Sequence, residues 1–120
     1  MYSPAVQGVP AGTPYADPTL KPPARDVARA KALLKEAGVK TPFPVELIAP
    51  NMPDLAQVAE VIQAMTAEAG FDVKIQLMEF ASSLQAQDAG KFQAYIVGWS
   101  GRADPDGNVY GPFHTGGPRN

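Results

Sequence analysis

The sequence predicts an α/β fold, a three-layer half-sheet of mainly parallel strands with flanking helices. Apolar runs of strand length alternate with segments of helical period, in the order helix, strand, helix, strand, helix, strand. Each helical segment ends at a glycine, which is typical of helix C-termini: Gly38, Gly70 and Gly90. Connections of this length join parallel strands in right-handed βαβ units. In the half-sheet that we infer, strand 44–49 is expected to lie between the other two.

The first helix is predicted to begin after Asp26, whose side chain can accept a hydrogen bond from the first turn. Its apolar residues fall on one face and are Val27, Ala30, Leu33, Leu34 and Ala37. The short apolar run 44–49 follows between prolines and predicts the first strand.

The second helix has the clearest pattern in the chain. Asn51 is a suitable cap, Pro53 fits the first turn, and the charge of Asp54 favours the helix dipole. Apolar residues recur every three or four positions: Leu55, Val58, Ile62, Met65 and Ala69. Such a stripe can form a partner-binding surface, but at this spacing it is far more typical of a core-facing helix.

The remaining elements follow the same alternation. Residues 71–77 alternate apolar and polar side chains, which predicts a half-exposed strand, and residues 81–89 predict a weaker helix. Residues 92–97 are nearly all apolar and predict the last strand, in a central position of the sheet. Beyond Trp99 we expect a loop, with a short turn of helix near Asn108.

Composition narrows the possible classes of protein. The chain has 120 residues, enough for one domain, and a net charge of −2 with no basic patch that indicates nucleic acid. It has no cysteine, which excludes disulfides and thiolate metal sites. No apolar stretch reaches the ~20 residues of a membrane span, and the first residues do not form a signal peptide.

Residues 1–25 hold six of the 13 prolines and predict an extended or turn-rich arm. We assign residues 26–120 to the α/β lobe.

The candidate binding site is the loop that follows the last strand. Ligands of α/β proteins bind beyond the carboxyl ends of the strands, and this loop carries the only tryptophan together with glycines and charged residues. Trp99 can form a wall of a ligand pocket or fill a gap in the core. The free backbone near Trp99 can pair with an extended peptide. Arg102 can bind a carboxylate of the ligand or form an ion pair with Asp104. Either Asp104 or Asp106 can bind an amine of the ligand. The predicted ligand-binding residues are Gly98, Trp99, Ser100, Gly101, Arg102 and Asp104.

Enzymatic and metal-binding interpretations of the same loop are weaker. Residues 98–102 resemble a nucleophile elbow, but Arg102 replaces its last glycine. A nucleophilic Ser100 would also need a histidine as its base, and His114 is the one histidine in the sequence. The Asp104–Asn108 segment resembles part of a calcium loop, but an Asx turn explains it more simply. We therefore predict no catalytic residue, no metal site and no cofactor. A small serine hydrolase remains a minor alternative, and a stand-alone flavodoxin-like α/β interaction module a stronger one.

Three stretches of the chain resemble one protein family. Residues 26–38 match the pattern D-x-x-x-A-K-x-L-L-x-E-A-G, residues 58–73 resemble the family's next helix and strand, and residues 92–106 carry G-W-x-G followed by D-P-D. Together they are similar to the extracellular solute-binding proteins, family 5, that serve dipeptide, oligopeptide and nickel ABC importers. The likeness covers about residues 8–120.

The resemblance implies a function and a location. Family members have two lobes that close around a solute, and the chain resembles only part of the C-terminal lobe, so we expect a fragment of a non-enzymatic protein. Its intact form would capture a peptide or a similar small polar solute, deliver it to an ABC permease, and lie in the periplasm or be exported and lipid-anchored. A leader sequence would then lie upstream. An apolar face left uncovered in the fragment would favour self-association.

The resemblance also assigns roles within the loop. In peptide-binding relatives, backbone near the tryptophan pairs with the ligand and an acidic residue soon after it holds the ligand's amino terminus. The backbone role corresponds to residues 98–101. The position of the acidic residue is occupied in this chain by Arg102. If the register is strict, the amine anchor is lost and an anionic ligand group is expected. If the loop is shifted by two residues, Asp104 supplies the anchor.

Overall fold

A computed structural model of the chain describes residues 5–9, 12–98, 100–102 and 104–117. These residues fall into two compact units, one formed by residues 26–98 and the other by residues 1–25 together with 99–120. The first unit contains the parallel sheet with its flanking helices and therefore confirms the predicted fold class.

The sheet has three parallel strands in the order β2-β1-β3. They are β1 (Phe43–Pro50), β2 (Phe71–Met78) and β3 (Ala94–Tyr95). The central place of β1 confirms the predicted strand order. The prediction for the last strand was wrong in two respects, because β3 has only two residues and lies at an edge. The apolar composition of residues 92–97 thus did not indicate a central strand here.

Helix α1 (Val27–Glu36) begins as its sequence predicts. The carboxylate of Asp26 accepts a hydrogen bond from the backbone N–H of Arg29 at 2.8 Å, and Gly38 follows the helix at φ +67°. Its apolar face is only partly covered, since Leu33 is 47% exposed and no residue of the helix is fully buried.

Helix α2 (Pro53–Ala67) starts one residue later than an Asn51 cap requires. Met52 occupies the cap position and makes no side-chain cap bond. The reason is Pro53, because a proline restricts the residue before it to extended backbone, and Met52 has φ −124° and ψ 134°. The prediction of Pro53 and Asp54 in the first turn is confirmed.

The face of α2 that meets the sheet differs from the predicted stripe. Ala59 is fully buried in the core cluster with Leu47, Ala49 and Val73. Val58 and Met65, which were predicted to face the core, are both 46% exposed. The small side chain of Ala59 lets the helix approach the sheet closely, and this requirement overrides the larger apolar residues of the stripe.

A polar side chain also ties α2 to the sheet. The side-chain amide of Gln63 donates to the carbonyl of Val73 at 2.6 Å. This bond occupies a backbone acceptor of β2 and fixes the helix along the strand.

Helix α3 (Phe80–Asp88) packs through one buried residue, Ser83. The Ser83 hydroxyl contacts the Phe80 carbonyl at 2.7 Å and the Tyr95 hydroxyl at 3.0 Å. Tyr95 pairs in register with Ile48, whereas Ala94 pairs with Leu47 in the cluster that contacts α2. Because successive strand residues point to opposite faces, α3 covers the face of the sheet opposite α2.

The second unit contains α4 (Asp106–Phe113), where the sequence predicted a loop with a short helical turn. Its eight residues include Pro112. In the described part of the proline-rich arm, the Gln7 side chain bonds both backbone groups of Asp17, at 3.1 and 3.0 Å. Gly8 lies against α4, since a Cβ atom there would come within 2.9 Å of Val109 Cγ1. The division into an arm, 1–25, and a lobe, 26–120, stays a prediction.

Candidate functional site

The predicted ligand loop begins where the residue 26–98 unit ends. Gly98 is exposed and closes that unit, while Ser100, Gly101, Arg102 and Asp104 are exposed residues of the other unit. Trp99 lies outside the described residues, so its two interpretations, pocket wall and core plug, both stay predictions.

The loop is held by a residue that sequence reasoning missed as a site residue. Asn108, in the first turns of α4, is only 6% exposed. Its side-chain oxygen accepts a hydrogen bond from the Arg102 backbone N–H at 2.7 Å, and its side-chain amide donates to the Arg102 carbonyl at 2.8 Å. A longer contact, 3.5 Å, joins the same amide to the Asp104 carbonyl. Asn108 therefore satisfies both backbone groups of Arg102 and sets the course of the loop.

Gly107 provides a surface for the Arg102 side chain. A Cβ atom at position 107 would lie 3.0 Å from Arg102 Cδ and 3.4 Å from Arg102 Cβ. The aliphatic part of the arginine thus packs directly over the glycine backbone, and any larger residue would displace it.

The carboxylate of Asp104 is used within the loop. It accepts a hydrogen bond from the Asp106 backbone N–H at 2.9 Å, just where α4 begins. This is the Asx turn that the sequence predicts in place of a calcium loop. Arg102 and Asp104 do not form an ion pair with each other, which was one of the two possibilities that the sequence left open for Arg102.

The serine-hydrolase alternative is not supported by the backbone. A nucleophile elbow continues directly into a helix, whereas Gly101 and Arg102 are not helical and α4 begins only at Asp106. His114 follows α4, and its ring stacks on Tyr110 with the ring centres 4.4 Å apart.

Two cavities lie in the residue 26–98 unit, and no predicted ligand-binding residue lines either of them. One, of about 210 Å³, is apolar and lies on the α2 face of the sheet; the residues lining it include Val45, Ile62, Phe71 and Ala94. The other, of about 510 Å³, lies at the beginning of β1 and is lined in part by Lys74 and Lys91. No helix of the described chain is long and apolar enough to span a bilayer.

The fold and the glycine-rich loop define a class of protein. A parallel half-sheet, helices on both faces and an exposed loop after the last strand are those of a lobe segment of a bacterial solute-binding protein. The sequence profile of bacterial extracellular solute-binding proteins, family 5 (Middle), matches residues 1–120. The chain belongs to this family.

Individual relatives agree with this assignment. The chain is 39% identical over 87 residues to the dipeptide-binding protein of Escherichia coli, an alignment that covers 68% of this chain and 16% of the relative. It is 35% identical over 108 residues to di/tripeptide-binding protein 3 of Pseudomonas aeruginosa, covering 85% of this chain and 20% of the relative. The chain thus spans about a fifth or less of these curated relatives.

Solved structures show the same fold. The periplasmic binding protein DppA of Helicobacter pylori, in complex with the peptide STSA, superposes with a TM-score of 0.70 at 33% identity, covering 79% of this chain and 19% of that one. NikA of Brucella suis, in complex with Fe(III)-EDTA, gives a TM-score of 0.67 at 31% identity, covering 81% of this chain and 22% of that one. The family assignment removes the stand-alone flavodoxin-like module from consideration.

Proposed function

We propose that this chain is the solute-contacting segment of a non-enzymatic binding protein that captures peptides or similar small solutes for an ABC importer. In this proposal, the backbone of residues 98–101 pairs with the solute and Trp99 forms one wall of the pocket. The complete protein works in the periplasm, or outside the cell on a lipid anchor, and passes its solute to a membrane permease.

The names of the relatives support the class of solute. Those from E. coli and P. aeruginosa are named for dipeptides or tripeptides, and the H. pylori structure holds a four-residue peptide. The B. suis structure holds a metal chelate at comparable similarity to this chain. Peptides are therefore the first solutes to test, and small polar chelates the second.

The open backbone of the loop is the observation that carries the proposal. Among the described residues other than its chain neighbours, a Cβ atom built at Gly98 would meet no heavy atom within 4 Å, and one at Gly101 would meet Asn108 Oδ1 at 3.9 Å. Backbone with open space beside it lets an extended peptide approach and form the paired hydrogen bonds of an added strand. Such bonds give affinity for many side-chain sequences, which suits a transport protein.

A titration of the 120-residue chain with Ala-Ala, followed by amide NMR, tests this proposal. We expect weak binding, because much of the ligand surface that a closed pocket buries is contributed by the rest of the protein. The shifts should be confined to residues 98–106. Trp99→Ala should weaken binding at least tenfold, about 1.4 kcal/mol. Tyr15→Ala, which replaces an exposed aromatic residue of the described chain, is the control and should leave binding unchanged.

The outcomes separate the alternatives clearly. Shifts confined to the loop in the wild-type chain and lost in Trp99→Ala support the proposal. A well-dispersed spectrum that does not respond to Ala-Ala, or a response at the cavities of the residue 26–98 unit instead of the loop, contradicts it. An unchanged affinity together with lowered stability in Trp99→Ala would make the tryptophan a core residue.

We also propose that the isolated chain self-associates weakly. Val58, Val61 and Met65 form an exposed apolar row on α2, and Val61 is 56% exposed. The apolar cavity beside Ile62 lies on the same helix. Adjacent apolar surface of this kind favours association with a second copy.

A further inference from the structure

Two of the predicted ligand-binding residues carry a charge and could each hold a charged end of a solute. One is Asp104, which would bind an amine, and the other is Arg102, which would bind a carboxylate. The hydrogen bonds of the loop distinguish them. The Asp104 carboxylate already accepts a bond from the Asp106 N–H at 2.9 Å and serves the beginning of α4.

Arg102 is held in the opposite way, by its backbone. Both backbone groups of Arg102 are bonded to the buried side chain of Asn108, at 2.7 and 2.8 Å. The aliphatic part of its side chain rests on Gly107. The backbone is thus held by two hydrogen bonds and the stem packs on Gly107, which limits the directions that the guanidinium can take.

The guanidinium itself has no carboxylate partner within the loop. Arg102 is an exposed residue, and no described aspartate or glutamate forms an ion pair with it. A guanidinium presents a planar fork of N–H donors that matches a carboxylate in a two-bond geometry. Because its stem and backbone are already ordered, binding such a group costs little additional side-chain entropy.

We propose that Arg102 is the specificity-determining residue of the loop and selects solutes through a carboxylate group, with Asn108 as its positioning residue. The inference rests on the proposed function and adds the chemical class that the loop recognises. Asp104 is the weaker candidate for a solute contact, because its Oδ1 already accepts the Asp106 N–H and stabilises the turn.

Three related probes test the charge preference in the same NMR titration of the 120-residue chain. Ala-Ala carries both charged ends, Ala-Ala amide lacks the carboxylate, and N-acetyl-Ala-Ala lacks the amine. We expect Ala-Ala amide to bind about tenfold more weakly than Ala-Ala, the effect of losing hydrogen bonds to a charged group. N-acetyl-Ala-Ala should bind within about twofold of Ala-Ala, because it keeps the carboxylate end that Arg102 is proposed to hold.

Variants of Arg102 and Asn108 test whether these two residues cause the preference for a carboxylate. Arg102→Gln should make the affinities for Ala-Ala and its amide equal, and Arg102→Asp should reverse the preference in favour of the amide. Asn108→Ala should reduce the ratio of the two affinities while the resonances of residues 26–98 stay dispersed, which shows that the fold is intact. Lys91→Gln removes an exposed positive charge elsewhere and should leave the ratio unchanged.

Failure of this inference is distinguishable from failure of the proposed function. If N-acetyl-Ala-Ala binds poorly and the amide binds well, the loop recognises an amine, and the inference is overturned while the proposed function stands. Equal binding of all three probes, or an unchanged ratio in Arg102→Gln, also overturns it. If none of the probes shifts the loop, both proposals fail.

Discussion

Replacement of Asn108 by alanine offers a direct test of how the loop is built. The side chain is buried and forms two short hydrogen bonds to the backbone of Arg102, 2.7 and 2.8 Å long. The third contact, at 3.5 Å to the Asp104 carbonyl, is at the limit of a hydrogen bond and contributes little. Alanine removes all three and leaves the backbone of α4 unchanged.

The size of the effect follows from the two short bonds. A neutral hydrogen bond contributes about 0.5–1.5 kcal/mol net, so the pair stabilises the closed loop by roughly 1–3 kcal/mol. Because Arg102 is exposed, water can replace the lost partners, and we expect the lower part of this range, about 1–2 kcal/mol. That free energy corresponds to a change of roughly 5- to 30-fold in the equilibrium for opening the loop.

Amide hydrogen exchange at Arg102 measures this equilibrium, since its N–H donates to Asn108 in the closed loop. Asn108→Ala should accelerate exchange there by about 5- to 30-fold. Asn108→Asp keeps the acceptor for this N–H but loses the donor to the Arg102 carbonyl, so its effect should be intermediate. Asn51→Ala, at an exposed asparagine of the other unit, is the control. Exchange in Asn108→Ala within a factor of two of the wild-type rate would refute the reasoning.

Three further predictions concern the residue 26–98 unit. Leu47→Ala removes a core side chain that is 4% exposed and should lower the free energy of unfolding by about 2–5 kcal/mol; a urea midpoint equal to that of the wild type would contradict this. Val61→Lys places a charge on the exposed apolar row of α2 and should shift the sedimentation coefficient at high protein concentration toward that of the monomer. If the sedimentation coefficients of Val61→Lys and the wild type depend on concentration in the same way, that row is not the contact between copies. Hydrogen bonds from the backbone N–H groups of Ala81 and then Ser82 lower the pKa of Glu79 from its ordinary 4.5. The stabilisation that this carboxylate gives α3 is therefore present above pH 4.5 and is lost as the pH falls through the lowered folded-state pKa. The thermal midpoints of wild type and Glu79→Gln should differ at neutral pH and converge in acid, and a difference that persists in acid would contradict this.

Local sequence signals predicted α1, α2, α3, β1 and β2 and most of their ends, but neither the length of β3 nor the whole of α4. The Asp26 cap, the first-turn Pro53 and the positive-φ glycines 38, 70 and 90 act through backbone geometry within a few residues, so they can be recognised without the fold. The parallel direction of the strands followed from the lengths of the connections. The family resemblance likewise depended on motifs that are contiguous in the chain.

Only the tertiary structure decided which side chains are buried and which charges are used. The apolar stripe of α2 did not reveal that Ala59, rather than Val58 or Met65, meets the sheet, because that choice depends on how closely the helix approaches the strands. Asn108 looks like any exposed asparagine in the sequence, and its role requires a helix that brings it to a loop six residues earlier. The sequence left Arg102 and Asp104 as equal candidates for the charged contact. Their hydrogen bonds distinguish them, because the Asp104 carboxylate is bonded to the start of α4, whereas no described aspartate or glutamate forms an ion pair with Arg102.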